Sequence, residues 1–173
     1  MPEGVGPSNG GIPLLDNNDS QAGPSGNQDL DQWNDAINKA AEKTGLDPNL
    51  IKAMIYAESS GDPSTSTINP GDGAPDVGLM QISQSTYESL SGAPAGLDIN
   101  NPTDNIMAGA FELKSKIDAA GGDLQTALEL YRGHDDDPSE GIWDGGDEPY
   151  AQTIIGNVQN LIDGRPLNVF QEP

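Results

Sequence analysis

The sequence predicts an all-α domain of about six helices, and three observations carry that reading. Apolar residues recur at spacings of three and four along most of residues 29–164. The stripes open at Asp, Asn or Ser, twice followed by Pro, and close at Gly. Two long turn-rich stretches, 61–76 and 133–148, interrupt the helices, and loops of that length in a compact domain are usually functional or disordered.

In chain order, residues 1–28 are dominated by Gly, Pro, Ser, Asn and Gln, with Val5, Ile12, Leu14 and Leu15 as their only sizeable apolar side chains. That is too little burial to offset chain ordering, so they are expected to form a disordered tail. Leu30, Trp33, Ile37, Ala40 and Ala41 mark a first helix, with Asp29 or Asp31 as its cap and Gly45 as its end. Asp47-Pro48 starts a second, whose stripe Leu50, Ile51, Met54, Ile55, Ala57 runs to Glu58 before Gly61-Asp62-Pro63 stops it. Ser83 or Ser85 opens a short helix through Leu90. Asn101-Pro102 opens a longer one that buries Ile106, Ala110, Phe111, Leu113 and Ile117 and closes at Gly121-Gly122. Asp123 caps Leu124 to Tyr131, and a last helix runs from about Pro149 to Leu161 with Gly164 as its stop. The expected folded body is 29–164, with a C-terminal tail over 165–173.

Composition excludes several classes. At 173 residues there is room for one domain plus a tail. The chain has no Cys, hence neither a disulfide framework nor a thiolate metal site. A net charge of −21 with seven basic residues excludes a nucleic-acid partner, since no cationic cluster is present to displace counterions from phosphates. No apolar run reaches the ~18 residues that span a bilayer. The first basic residue is Lys39, so no secretory signal peptide is read at the start. A removed signal, a fragment or another export route all stay open. Recognition of any anionic partner would rest on hydrogen bonds and stacking rather than on electrostatic steering.

Glu58 is the candidate proton-transfer group. A general acid must still carry its proton at the working pH in order to protonate a leaving oxygen. A Glu does this near neutral pH only if its pKa is raised toward ~6. At a helix C-terminus the unpaired carbonyls contribute ~0.3–1 kcal/mol, less than one pKa unit at ~1.36 kcal/mol per unit. Burial must supply the rest, with Met54, Ile55 and Leu79 as the expected walls.

Glu58-Ser59, Gly78-Leu79-Met80-Gln81-Ile82, Asn105-Ile106 with Gly109, Ala127-Leu128-Glu129-Leu130-Tyr131 and Tyr150 follow one another in the order and rough spacing of the soluble lytic transglycosylases. The chain resembles that family over residues 45–162. The resemblance implies a lysozyme-like, goose-type helical fold and cleavage of the MurNAc–GlcNAc bond of peptidoglycan with formation of 1,6-anhydro ends. It implies Glu58 as both acid and base, with substrate-binding roles for Ser59, Gly78, Met80, Gln81, Tyr131 and Tyr150. Within that set Ser59 and Gln81 would hydrogen-bond at the site, Met80 would line the sugar groove and Tyr131 would orient Glu58. It implies no cofactor and no metal, and a monomer whose partner is the glycan strand.

Two departures stand out. The Glu58-to-Gln81 interval is longer than in compact members, and Arg132 stands where the family usually has Asn after the Tyr. An Arg132 guanidinium turned toward Glu58 would lower its pKa; the expectation is that it points outward, toward the acidic loop. That loop (Asp135, Asp136, Asp137, Glu140, Asp144, Asp147, Glu148) fits no EF-hand register, and its charge is expected to be solvated. His134 is the only His and reads as a loop residue, while Trp143 is either a sugar platform or a loop anchor.

Two other functions stay open. One is a lysozyme-type hydrolase using water and a second carboxylate among Asp62, Asp72 and Asp76. The other is a harpin-like, non-cutting secreted factor that binds wall glycan. The expected setting is exported, periplasmic or secreted, serving a specialised (type III) secretion apparatus, with a phage virion as the alternative.

Overall fold

A computed structural model describes residues 21–69, 73–133 and 148–168. Among these, helices α1 (Gln28–Asp31), α2 (Asn34–Thr44), α3 (Pro48–Ser59), α4 (Gln84–Ser89), α5 (Pro102–Ala119), α6 (Leu124–Tyr131) and α7 (Glu148–Ile162) surround one apolar core. Helix α5 packs on α2 and α6, and α3 packs on α2 and α7. Each expected stripe faces inward: Ile37 and Ala40 from α2, Leu50, Ile51, Met54 and Ile55 from α3, Ile106, Ala110 and Leu113 from α5, and Ile154 and Val158 from α7 are all fully buried.

Local chemistry sets the helix ends. Asp47, Ser83, Asn101 and Asp123 each accept a first-turn backbone N–H, and Pro48 and Pro102 sit just inside their helices, where no donor is needed. Gly45 ends α2 in the left-handed conformation.

The structure differs from the sequence reading at three places. The single helix expected from Leu30 to Ala41 is broken at Gln32–Trp33. Neither Asp29 nor Asp31 caps it; Asn27 caps α1, and Trp33 leaves the helical path with its indole N–H donating to Gly61 O at 3.1 Å. The loop 61–76 contains a small hairpin, β1 (Ser66–Ile68) antiparallel to β2 (Pro75–Val77), with Thr67 opposite Asp76. Strands of three residues are too short for alternation to reveal.

The third difference concerns the tail boundaries. Residues 21–27, placed in the tail, lie packed on the helices. Ala22 N–H donates to Asn38 Oδ1 (2.7 Å) and Gly23 N–H to Asn49 Oδ1 (2.8 Å). Lys52, fully buried, spends its ammonium protons on Gly23 O (2.5 Å), Asp31 Oδ1 (2.5 Å) and Asn34 Oδ1 (2.8 Å). Polar pairing rather than apolar burial orders this segment, which is why its composition suggested otherwise. At the other end Leu167 packs on the core and Asn168 exchanges two hydrogen bonds with Asn157. Residues 1–20, His134, the acidic residues 135–147, Trp143 and residues 169–173 lie outside the described residues.

Candidate active site

Helix α3 delivers Glu58 at its last turn. Ser60 adopts the left-handed conformation (φ 55°) and returns its N–H to Tyr56 O at 3.0 Å, so the helix ends at Ser59. Gly61 follows at φ 90°, where a Cβ would lie 3.1 Å from Asp29 O and 3.2 Å from Leu30 Cα. The close approach of α1 and the Trp33 bond therefore clamp the chain just past Glu58.

Glu58 is partly exposed, yet burial pushes its carboxyl up from 4.5 to about 7. Two groups oppose that rise, a hydrogen bond donated by the Tyr150 hydroxyl to Oε1 and the charge of Arg132; Asp76 adds to it. Desolvation is the largest of these effects, so a carboxylic acid persists near neutral pH. This is the environment anticipated for a general acid, reached through burial rather than through the helix dipole.

Arg132 does not turn away as expected. Its guanidinium carbon lies 5.0 Å from the centroid of the Tyr150 ring, a cation–π geometry. It thereby pins the ring that bonds Glu58 and also favours the carboxylate.

The Val77–Ile82 segment is tied to the residue after Glu58 and is held by side chains from α3, α5, α6 and β1. Gly78 takes φ +79°, and a Cβ there would meet Asn105 Nδ2 at 2.5 Å. Asn105, fully buried in α5, accepts from Met80 N–H and donates to Val77 O and Ile99 O, each at 2.8 Å. Ser59 is buried, with its hydroxyl facing Ile55 O (3.0 Å) and Leu79 O (2.9 Å). The serine therefore ties the segment to α3. Gln81, at φ 49°, donates to Thr65 O (3.0 Å) and Gly78 O (2.9 Å) and accepts from Thr67 Oγ1 (2.7 Å), locking the hairpin onto the segment.

Two residue roles need correction. Met80, expected to line a sugar groove, is fully buried against Gly109, where a Cβ would come within 2.5 Å of its own Cβ; it supports the segment from beneath. Tyr131, expected to orient Glu58, instead donates to Met80 O at 2.8 Å, and Tyr150 makes the bond to Glu58. Burial raises both phenols well above their ordinary value, so both remain neutral donors.

Glu112 was missed. It is 8 % exposed on α5, and burial raises its carboxyl to about 7, with Lys116 opposing and Glu58 and Asp76 adding to the rise. The signal was present in the sequence: Glu112 follows Asn105 by seven and Gly109 by three, on the same helix face. Its neighbours Phe111 and Leu113 drew attention to the apolar stripe instead. Among the described residues no group of three or more His, Cys, Asp and Glu is placed to hold a metal.

The family model described as the Transglycosylase SLT domain matches residues 35–134, more than half of the chain. The chain belongs to the SLT transglycosylase family. This SLT domain is 35 % identical over 133 residues to the transglycosylase of Enterobacteria phage PRD1, covering 77 % of the chain and 45 % of that protein. It is 39 % identical over 89 residues to the endo-type membrane-bound lytic murein transglycosylase A of Citrobacter koseri, covering 47 % and 41 %. The corresponding protein of Cronobacter sakazakii is 35 % identical over 89 residues with the same coverage. The SLT chain thus spans less than half the length of these curated relatives. Its all-α architecture agrees with the fold expected of that family.

Proposed function

We propose that the protein is a peptidoglycan lytic transglycosylase with Glu58 as its single acid and base. The observation that carries this reading is Glu58 itself: a carboxyl with a value of about 7, at a helix end, accepting a hydrogen bond from Tyr150. In the first step the Glu58 proton passes to the glycosidic oxygen and the bond from that oxygen to C1 of the N-acetylmuramic acid breaks. The sugar's own acetamido group stabilises the charge left at C1, so no second carboxylate is required. In the second step the Glu58 carboxylate takes the proton of the C6 hydroxyl as O6 bonds to C1. The products are a 1,6-anhydro end and the released 4-hydroxyl, and Glu58 is again protonated.

Ser59, Gly78, Gln81 and Met80 contribute by holding the 78–82 segment, in which Leu79, Met80 and Ile82 are fully buried and half-buried Gln81 is the side chain available to glycan. A transglycosylase from a phage covers more of this chain than do the membrane-bound murein enzymes, which favours local wall opening for a phage particle over service to a secretion apparatus. Either setting places its action outside the cytoplasm. No helix among the described residues is long and apolar enough to cross a membrane.

The hydrolase reading is kept because Asp76 acts electrostatically on Glu58. Of the other carboxylates considered, Asp62 is exposed and committed to Ser64 N–H (2.8 Å) and Oγ (2.7 Å) within its own turn, and Asp72 lies outside the described residues. Mass spectrometry of fragments released from purified peptidoglycan decides among these readings. Anhydro ends from the wild type and none from Glu58→Gln support the proposal. Reducing ends establish hydrolysis; equal release by both proteins refutes Glu58 as the acid, and no release by either leaves the non-cutting glycan binder.

A further inference from the structure

We propose that Gly23 and Lys52 are positioning residues for proton transfer: through them the segment 21–27 and helix α1 hold α3 against α7, and so set how the Tyr150 hydroxyl meets Glu58. This rests on the reading of Glu58 as the acid and base.

Helices α3 and α7 meet at two ends. At one, Tyr150 in the first turn of α7 bonds Glu58 in the last turn of α3. At the other, Gly23 touches both helices. Its N–H donates to Asn49 Oδ1 near the start of α3 (2.8 Å), and a Cβ on it would lie 2.8 Å from Leu161 O in the last turn of α7. The helices are therefore antiparallel, with the Tyr150–Glu58 bond closing one end and Gly23 wedged in the other. The backbone at Gly23 is not left-handed, so it is space rather than torsion that excludes a side chain there. A helix carbonyl cannot swing aside as the tip of a flexible side chain can. Any larger residue at 23 must displace the segment or α7.

The same stretch grips α3 twice more. The Lys52 ammonium gives its three protons to Gly23 O, Asp31 Oδ1 and Asn34 Oδ1. Asp31 Oδ1 also accepts from Ser25 N–H (2.9 Å) and Oγ (2.6 Å), which joins the segment to α1. Helix α1 then reaches the exit of α3, where Asp29 O and Leu30 Cα lie against Gly61 and Trp33 bonds the Gly61 carbonyl. Residues 21–33 thus hold α3 at Asn49, at Lys52 and just past Glu58. Apolar burial is non-directional and tolerates sliding of one helix along another, whereas three bonds from one ammonium define a point. A buried ion pair is a poor source of stability, since apolar side chains of similar volume do as well or better; its better attested effect is to fix register. Register matters at Glu58 because a misplacement of about 1 Å at a reacting group costs about 100-fold in rate. Neither Gly23 nor Lys52 touches the reacting atoms; both act through the placement of α3 and α7.

The test is Gly23→Ala in the full chain, alone and combined with Tyr150→Phe, read by a carboxyl NMR titration of Glu58 and by kcat and KM on peptidoglycan across pH. A displaced α7 weakens the Tyr150 bond, which favours the carboxylate. The Glu58 midpoint and the alkaline limb are therefore expected to rise together by about half a pH unit, with kcat lowered severalfold and KM unchanged. In the Tyr150→Phe background the same substitution is expected to move neither midpoint nor limb. Lys52→Met, which releases the segment without adding volume beside α7, is expected to behave likewise. Lower thermal stability with an unmoved midpoint overturns the proposal and leaves the segment a structural brace. Equal shifts in both backgrounds also overturn it, since the effect would then bypass Tyr150, and so does a raised KM with an unmoved kcat. Should either variant fail to fold, Asn49→Ala withdraws the acceptor of the Gly23 N–H and faces the same expectations and the same refutations. The titration needs no turnover, so absence of anhydro products would sink the enzyme reading while leaving the coupling measured.

Discussion

The Tyr150 hydroxyl donates to Glu58 Oε1 across 92 positions of sequence, joining the start of α7 to the end of α3. The bond favours the carboxylate and so works against the burial that keeps Glu58 protonated. Tyr150→Phe is therefore expected to raise the Glu58 pKa and move the alkaline limb of activity upward. The reacting carboxyl would also lose its orientation, lowering kcat by about tenfold. A pH series of kcat and KM on the Phe variant checks both.

Arg132 acts on the same carboxyl through its charge and through the Tyr150 ring. Replacement by Asn, the residue more usual at this position, is expected to move the alkaline limb upward as well. The shift should be smaller in the Tyr150→Phe background, because part of the Arg132 effect passes through the ring. A double-mutant cycle on limb position measures that overlap.

Stability should fall as pH rises through the acid range. Glu58 and Glu112 have folded values of about 7 against 4.5 for an ordinary Glu. The folded state therefore binds more protons than the unfolded state between those values. The stability contributed by the protonated groups is fully present below pH ~4.5 and lost by pH ~7, at about 1.4 kcal/mol per pH unit for each independent group. Glu58→Gln is expected to flatten this slope and to exceed the wild type by about 2 kcal/mol at pH 8. Urea unfolding at pH 5, 6, 7 and 8 provides the comparison.

Asn105 is the hinge pin of the Val77–Met80 segment, with all three of its bonds at 2.8 Å in a fully buried site. Asn105→Leu strands a backbone N–H and two carbonyls and is expected to cost about 3 kcal/mol. Gly78→Ala meets both a left-handed backbone and a 2.5 Å approach to Asn105 Nδ2. Chemical unfolding should rank both below the wild type, with activity lost in each at temperatures where the fold persists.

Lys52 forms the corresponding pin of the N-terminal segment. Lys52→Met leaves Asp31 without its ion pair and Gly23 O without its donor, at an expected cost of about 3 kcal/mol. Limited proteolysis should then cleave near residues 21–27 sooner than in the wild type, since that segment is held chiefly by polar bonds.

Helix positions were legible from the sequence because their signals are local. Asp47, Ser83, Asn101 and Asp123 cap the helices that their position before each apolar run indicated, since a cap reaches only the N–H groups two or three residues ahead. Glu58 was legible too, as a carboxyl at a helix end followed by a Gly-hinged segment. The break at Trp33 was not, because its reason is a bond to Gly61 far along the chain. Nor were the partners of Glu58. Which tyrosine reaches it and where Arg132 lies depend on how α3, α6 and α7 pack, and helical periodicity says only which face of each is apolar. The sequence alone determined a helical body with one carboxyl, Glu58, at a helix end beside a Gly-hinged segment; its protonation state was decided by desolvation and by neighbours that only chain packing brings within range.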